Sequence, residues 1–169
     1  MLRPVTKYGD PVLQRRAEPV TEFDDELGRL IDDMVETMYA APGIGLAAPQ
    51  VGVSRRVCVV DLSVGRRGGE LLTLINPEFV EREGMQLEEE GCLSAPGFTA
   101  TVARPARVVV RAQDRHGATR EIRGEGLLAR ALQHEVDHLD GRLFLDRLRG
   151  IKRDLIVRRI RKLQRTGRW

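Results

Sequence analysis

The chain has 169 residues, of which 41% are hydrophobic, and a formal net charge of +3. This length predicts one compact domain with a sizeable core, covering residues 1–169. An apolar run of about 18 residues is absent and the first segment is charged, which excludes a membrane span and a signal peptide, so we expect an unexported protein. Two cysteines are too few for a disulfide scaffold, and in a reducing compartment both thiols would stay available, for example to a metal ion.

The order of apolar patterns along the chain predicts an α+β fold. The segment 23–43 has the spacing of a helix that Asp24 or Asp25 can cap and that Pro42 and Gly43 end. Short β-like runs follow, separated by turn residues and with no helix-length segment between them, at residues 57–61, 71–75, 99–103, 107–112 and 119–123. This order favours antiparallel strands over βαβ crossovers.

Two further helices of different character are predicted after the strands. The first, from Gly126 to about Leu139, has apolar residues at helical spacing and is stopped by Gly141. The second lies in residues 147–169, which contain ten Lys or Arg and a single acid, whereas residues 1–146 have a net charge of −6. This segregation predicts one electrostatic docking element, a basic C-terminal helix, on an otherwise independent domain. A stripe of apolar side chains should pack it on the body: Leu148, Ile151, Leu155, Ile156, Ile160 and Leu163.

The segment HEVDH at residues 134–138 carries the strongest chemical signal. His134 and His138 are four residues apart, so on a helix their imidazoles share one face and can bind one metal ion. Glu135 points to the side where a water bound to that metal would lie. The remaining histidine, His116, lies in a turn-like DRHG context and is expected on the surface. We therefore predict a hydrolytic metal site on a central HExxH helix around which the antiparallel sheets pack.

A catalytic metal needs a third protein ligand. The residues that follow HEVDH exclude two of the known kinds of third ligand. The metzincin pattern HExxHxxGxxH is followed as far as Gly141, but Phe144 stands where the third histidine belongs. Thermolysin-like enzymes use a downstream glutamate, and none follows Glu135. Three aspartates remain formal candidates: Asp140, Asp146 and Asp154. Cys92 is the better candidate, because glycine and proline give its loop-like stretch EEEGCLSAPG an irregular course suited to presenting a side chain. A thiolate there would suit Fe²⁺, Co²⁺, Ni²⁺ or Zn²⁺.

Three blocks of the sequence resemble the signature motifs of the peptide deformylase family, in order and in approximate spacing. They are GIGLAAPQVG at residues 43–52, EGCLS at 90–94 and QHEVDHLDG at 133–141. The stretches YGDPVLQRRAEPV, LINPE and PGFTATVARP are also similar to that family, so the resemblance covers most of residues 1–146. It implies hydrolysis of the formyl group from N-formylmethionyl nascent polypeptides, with release of formate, in the bacterial cytoplasm.

The resemblance also implies a role for each matching residue. Three would bind the metal, which in this family is natively Fe²⁺ and is often replaced by Ni²⁺, Co²⁺ or Zn²⁺: Cys92, His134 and His138. Glu135 would take a proton from the attacking water and later pass one to the departing amine. The side-chain amide of Gln50 and the backbone N–H of Leu93 would form the oxyanion hole. The backbone of Gly45 would approach the peptide, as the absence of a Cβ allows.

An apolar pocket for the substrate is predicted beside the metal. Leu127 and Ala131 precede His134 by seven and three residues on the helical stripe that leads to the metal, so they can wall a pocket for an N-terminal methionine. Ile44 is a further candidate for this wall. Three positions depart from what the resemblance leads us to expect. Ala95 stands where a branched aliphatic residue is usual, Thr99 replaces a basic residue that some members have, and Arg130 occupies a place that is aliphatic in others.

Two alternatives remain open at this point. A small HExxH metallopeptidase, with Asp154 as its third ligand, would cleave peptide bonds and ignore the formyl group. An RNA-binding module would use the basic segment and keep the metal as a structural element, although a closed structural site needs neither the oxyanion donor Gln50 nor the base Glu135. For residues 147–169 the resemblance implies docking on ribosomal RNA, and the plainer interpretation is a solubilising amphipathic helix.

Overall fold

The computed structural model describes residues 1–169 and contains three α-helices and seven strands. The helices are α1 (Asp25–Ala40), α2 (Gly126–Leu139) and α3 (Ile151–Arg165). The strands are β1 (Gly45–Ala47), β2 (Val57–Val60), β3 (Leu72–Glu83), β4 (Gln86–Gly91), β5 (Thr99–Arg104), β6 (Arg107–Gln113) and β7 (Thr119–Glu125). Short 3-10 helices lie at Pro11–Gln14, Ala48–Val51 and Phe144–Arg147. The predicted α+β class is confirmed.

Every strand pairing within the two sheets is antiparallel, as the order of the predicted runs indicated. The larger sheet has the order β1-β2-β3-β6-β7, and β4 pairs only with β5. Helix α2, which carries the HEVDH segment, packs against β1, β2, β6 and β7, while α1 packs against β1 and β2. The predicted metal-binding motif therefore lies on a helix that is held by several strands at once.

Strand β2 explains how both helices are held by one sheet. All four of its residues are fully buried: Val57, Cys58, Val59 and Val60. Val57 and Val59 belong to the apolar cluster that contains the inner face of α1, whereas Cys58 and Val60 belong to the cluster that contains the inner face of α2. Successive side chains of a strand point to opposite faces, so this short run makes contact with a helix on each side.

The helix ends follow local signals in the sequence. The Asp24 side chain accepts a hydrogen bond from the Leu27 N–H at 3.0 Å, so one of the two predicted caps of α1 is confirmed. Gly141 follows α2 with a φ of +79°, which favours glycine. A Cβ at this position would also lie 2.8 Å from the carbonyl oxygen of Gln14. Helix α2 therefore ends where the chain must turn closely past the first 3-10 helix.

Two strands, β1 and β4, were not predicted from the sequence. Strand β1 has only three residues, and β4 covers part of the stretch that was predicted to be loop-like. Strand β4 contains three consecutive glutamates and its side chains are mostly exposed, so it lacks the alternation of apolar and polar residues that signals a strand. Its pairing with β5, with Glu90 opposite Ala100, makes it a strand. The run predicted at 71–75 also continues to Glu83.

Helix α3 packs on the body through only part of the predicted stripe, with Val157 in addition. Ile160 is fully buried and Val157 nearly so, but Ile151 is 72% exposed and Leu155 is 53% exposed, so these two predicted contacts are wrong. Each residue of a helix projects about 100° from the one before it, and Leu155 therefore points away from the face that Ile156 and Ile160 share. None of the three helices combines the length and apolar composition needed to span a bilayer.

Candidate active site

The structure brings Cys92, His134 and His138 together. Cys92 follows directly after β4, and the two histidines lie on α2. The Nε2 atom of His138 lies 3.3 Å from the Cys92 Sγ and 3.2 Å from the Nε2 of His134. One donor atom from each residue lies within 4.8 Å of the other two. Three ligand atoms that converge in this way, from a strand end and a rigid helix, can bind one ion.

This donor set fits a divalent transition metal. One thiolate and two imidazoles are typical ligands of Zn²⁺ and Fe²⁺, and three protein ligands leave a coordination position for water. The three candidate aspartates stay outside the group: Asp140 pairs with Arg56, Asp146 accepts from the Leu143 N–H, and Asp154 is exposed on α3. Phe144 is buried, and its ring stacks on that of His134 with centroids 6.4 Å apart. His116 is exposed, as predicted.

Glu90 orients His134, and sequence reasoning gave it no role. Its Oε1 lies 2.8 Å from the His134 Nδ1. A carboxylate only accepts hydrogen bonds, so Nδ1 must carry the proton and Nε2 stays free to bind a metal. Burial acts against ionisation of Glu90, but the hydrogen bonds from His134 and Arg104 outweigh burial and lower its pKa to about 2. Glu90 is therefore a carboxylate at neutral pH and fixes both the tautomer and the direction of the ring.

Buried arginines compensate the charge of Glu90. Arg104 donates to both carboxylate oxygens of Glu90 and, through Nη1, to Asp137 at 2.9 Å. Arg130 donates to the same Glu90 and to the carbonyl oxygen of Val102. Charges this deeply buried persist only when they are paired and hydrogen-bonded. Arg130 therefore belongs to the charged network that holds Glu90 next to His134.

Glu90→Gln should weaken metal binding. The amide keeps the shape of the side chain but removes the charge that attracts the His134 N–H, and loss of such a supporting partner lowers metal affinity by about 10- to 100-fold. Titration of the metal-loaded protein with a competing chelator measures this affinity. The matched control is Glu89→Gln, which removes the same charge from the exposed neighbour. Equal metal affinities for the two variants would contradict the role of Glu90.

Glu135 lies on the same turn of α2, and its side chain faces β1. It is buried, and its Oε2 has no hydrogen-bond partner within the chain. Burial raises the pKa of Glu135 to about 7, so the group can both accept and release a proton near neutrality. A Cβ at Gly45 would lie 2.6 Å from the Glu135 Oε1. The missing side chain at Gly45 therefore leaves room for the carboxylate, a reason that the sequence did not indicate.

Gln50 is held with its amide nitrogen toward Cys92. Its Oε1 accepts from the Ala47 N–H at 3.0 Å, and its Nε2 donates to the Ser94 Oγ at 3.1 Å and lies 3.5 Å from the Cys92 Sγ. The backbone N–H of Leu93 donates to no carbonyl or side chain of the protein. Two donors of this kind, one fixed and one free, suit the stabilisation of a developing oxyanion.

These groups open into a cavity of about 650 Å³. Cys92, Gln50, His134 and Glu135 line it on the metal side. The predicted apolar wall also lines it: Ile44, Leu127 and Ala131. Ala131 is buried, whereas Leu127 is 55% exposed and lies at the rim. A cavity with a few convergent polar groups and apolar walls suits a small ligand with one apolar side chain.

An unpaired carboxylate beside a convergent Cys-His-His donor set, in an α+β fold, defines the class of metal-dependent hydrolases. The sequence profile described as "Polypeptide deformylase" matches residues 2–154, and the chain belongs to that family. It is 59% identical to the peptide deformylase of Acidobacterium capsulatum over 169 residues, covering 100% of this chain and 99% of that protein. It is 52% identical to the Thermodesulfovibrio yellowstonii peptide deformylase, covering 93% and 95%.

A solved structure supports the same assignment. The fold matches the crystal structure of a peptide deformylase from Legionella pneumophila with a TM-score of 0.92, at 46% identity, over 99% of this chain and 98% of that one. The family profile ends at residue 154, within α3. The match therefore includes every residue of the candidate active site, and most of the basic helix lies beyond it.

Proposed function

We propose that this protein removes the formyl group from N-formylmethionyl nascent polypeptides through the site around Cys92, and that residues 1–169 work as one catalytic domain. One observation carries the proposal: the Cys92 thiol meets the two imidazoles of α2 next to the buried, unpaired Glu135. The bacterial cytoplasm, where formylated chains are made, is the place of reaction in this proposal.

The metal would be held by Cys92, His134 and His138. When bound, it supplies Lewis-acid activation of a water molecule and of the formyl carbonyl. A site with one thiolate and two imidazoles suits Fe²⁺, Ni²⁺, Co²⁺ and Zn²⁺. We propose Fe²⁺ as the native ion, on the likeness to the family, with the other three as substitutes.

Substrate binding in this proposal uses the apolar part of the cavity. The methionine side chain would pack against Ile44, Leu127 and Ala131. The free edge of β1, whose only strand partner is β2, would bring the backbone of Gly45 close to the peptide, because no Cβ intervenes. Burial of the methionine in this way positions the formyl carbon beside the three ligands and excludes bulk water from the reacting bond.

Proton transfer is assigned to Glu135. Its unpaired Oε2 would accept a proton from the attacking water, and the same carboxyl would then give a proton to the departing amine. The oxyanion that forms on the formyl oxygen would accept hydrogen bonds from the Gln50 Nε2 and the Leu93 N–H. Each such donor is worth roughly 10²-fold or more in rate. Formate and a free amino terminus are the products.

An assay of formate release tests this function. Protein loaded with Fe²⁺ under anaerobic conditions should release formate from an N-formylmethionyl tripeptide and leave the unformylated tripeptide intact. The small-metallopeptidase alternative predicts the opposite, cleavage of a peptide bond regardless of the formyl group. Cleavage of the unformylated peptide without release of formate would overturn the proposed function.

We also propose that α3 docks the enzyme on ribosomal RNA. In residues 147–169, Arg147 pairs with Asp137 and Arg153 with Asp146, and no other basic residue there has an acidic partner. Five of these residues lie next to one another on the exposed side of α3: Arg158, Arg159, Arg161, Lys162 and Arg165. A row of uncompensated cations on one helix suits contacts with phosphates, which would make the binding strongly dependent on salt.

Charge reversal on α3 should weaken binding to ribosomes. Arg158→Glu combined with Arg161→Glu replaces two of these exposed cations with anions. Sedimentation with purified ribosomes at two salt concentrations measures the effect. We expect loss of most of the bound fraction at about 0.1 M salt, where charge contacts still act over about 10 Å. Arg66→Glu combined with Arg67→Glu is the control, since both residues are exposed in a turn. If the two double variants bind equally, α3 is only a solubilising helix.

A further inference from the structure

Trp169, four residues beyond the end of α3, packs against the segment between β4 and β5. Its indole N–H donates to the carbonyl oxygen of Tyr8 at 2.8 Å. Its ring lies 6.0 Å from that of Phe98, centroid to centroid, with an angle of 60° between the ring planes. Phe98 in turn lines the cavity that contains Cys92 and Glu135. One aromatic contact therefore links the basic tail to the wall of the active site.

The segment that Trp169 contacts has little structure of its own. We call residues 92–98, between β4 and β5, the thiol loop. Within it the backbone makes only two turn-like hydrogen bonds, from Ala95 to Cys92 and from Phe98 to Ala95. The N–H of Tyr8 donates to the Ser94 carbonyl at 2.8 Å, which ties the loop to another part of the chain. The position of the loop therefore depends on contacts made from outside.

The backbone of Tyr8 connects Trp169 to the thiol loop. Its carbonyl oxygen accepts from the Trp169 indole, while its N–H holds Ser94. The Ser94 N–H lies 3.4 Å from the Cys92 Sγ, and the Ser94 Oγ accepts from the Gln50 Nε2. An apolar cluster that includes Ala95 and Ile160 fills the space between the loop and α3, and Trp169 packs against it. The tail thus contacts the apolar side of the loop directly and its polar side only through Tyr8.

We propose that Trp169 is a positioning residue for the substrate: it holds Phe98, at the opposite end of the thiol loop from Cys92, in the place where the loop forms one wall of the cavity. The direct contact is with the wall, whereas Cys92 and Gln50 are reached only through Tyr8 and Ser94. Loss of the indole should therefore weaken peptide binding and leave the chemical step nearly unchanged. Uniform weakening of this kind raises KM without lowering kcat.

Steady-state kinetics on three variants test the proposal. Trp169→Ala should raise KM for an N-formylmethionyl tripeptide by about two- to tenfold, the range that an aromatic pair supplies, with kcat nearly unchanged. Trp169→Phe keeps an aromatic ring next to Phe98 and should restore most of the affinity. Val157→Ala is the control for stability alone, because Val157 is buried on α3 but belongs to neither the cavity nor the cluster with Phe98. It should lower Tm and leave KM unchanged.

A second readout needs no turnover and so does not depend on the proposed reaction. Trp169 is the only tryptophan of the chain, so the intrinsic indole emission reports on its surroundings alone. Met-Ala-Ser, a peptide of the product type, should change this emission when it fills the cavity of the wild-type protein. An indole emission that stays constant at saturating peptide would overturn the proposal. A Trp169→Ala variant that loses as much stability as Val157→Ala but keeps the wild-type KM would overturn it too.

Discussion

Glu135→Gln should lower kcat for formate release by about 10²- to 10⁴-fold, the usual worth of a positioned general acid–base group. The amide has nearly the shape of the carboxylate but cannot accept a proton from water. Glu135 is not one of the three residues whose ligand atoms converge at the site. The variant should therefore still bind one metal ion per chain. Steady-state kinetics together with elemental analysis of the purified variant measure both quantities.

The matched control for this prediction is Glu125→Gln. It makes the same change of charge at the residue that precedes α2, where the side chain is exposed and makes no capping hydrogen bond. Its kcat should equal that of the wild type. If Glu135→Gln keeps full activity, another group accepts the proton, and the assignment of the base is wrong.

Cys92→Ala should abolish both metal binding and formate release. Two imidazoles on one helix would remain, and two ligands do not make a three-ligand catalytic site. We expect the activity to fall by more than ~10³-fold, because activation of water and of the carbonyl, worth several kcal/mol, is lost with the metal. Elemental analysis and the formate assay, on protein prepared anaerobically with Fe²⁺, give the two readouts.

The second cysteine provides the control. Cys58 is fully buried in β2, and burial raises the pKa of its thiol well above the usual range, so it is an inert apolar side chain. Cys58→Ala should retain one metal ion per chain, with at most a small loss of stability. A Cys92→Ala variant that still binds the metal tightly would point to a different third ligand and would restore the metallopeptidase alternative.

Much of the fold followed from local patterns in the sequence. The helix at residues 126–139 was predicted with the bounds that the structure has, because apolar spacing and the terminal glycine are signals within a few residues. Strand β4 was not predicted because most of its side chains are exposed and three of its six residues are glutamates, so its sequence shows no alternation of apolar and polar residues. Its pairing with β5 is visible only in the structure. Ile151 and Leu155 were misplaced because a helix with several apolar residues offers more than one possible inner face.

By itself, the sequence predicted the chemical groups of the site: two histidines at helical spacing, a carboxylate between them and a distant cysteine in a recognisable motif. The residue types, the short spacing of the two histidines and the motif around the cysteine can all be read from the sequence. The tertiary structure decided what holds these groups in place. Glu90 meets His134, Arg130 meets Glu90, Gly45 leaves room for Glu135, and Trp169 meets Phe98. Each of these contacts joins residues far apart in the chain. They exist only because strand pairing and helix packing set the distances, and no local pattern encodes those distances.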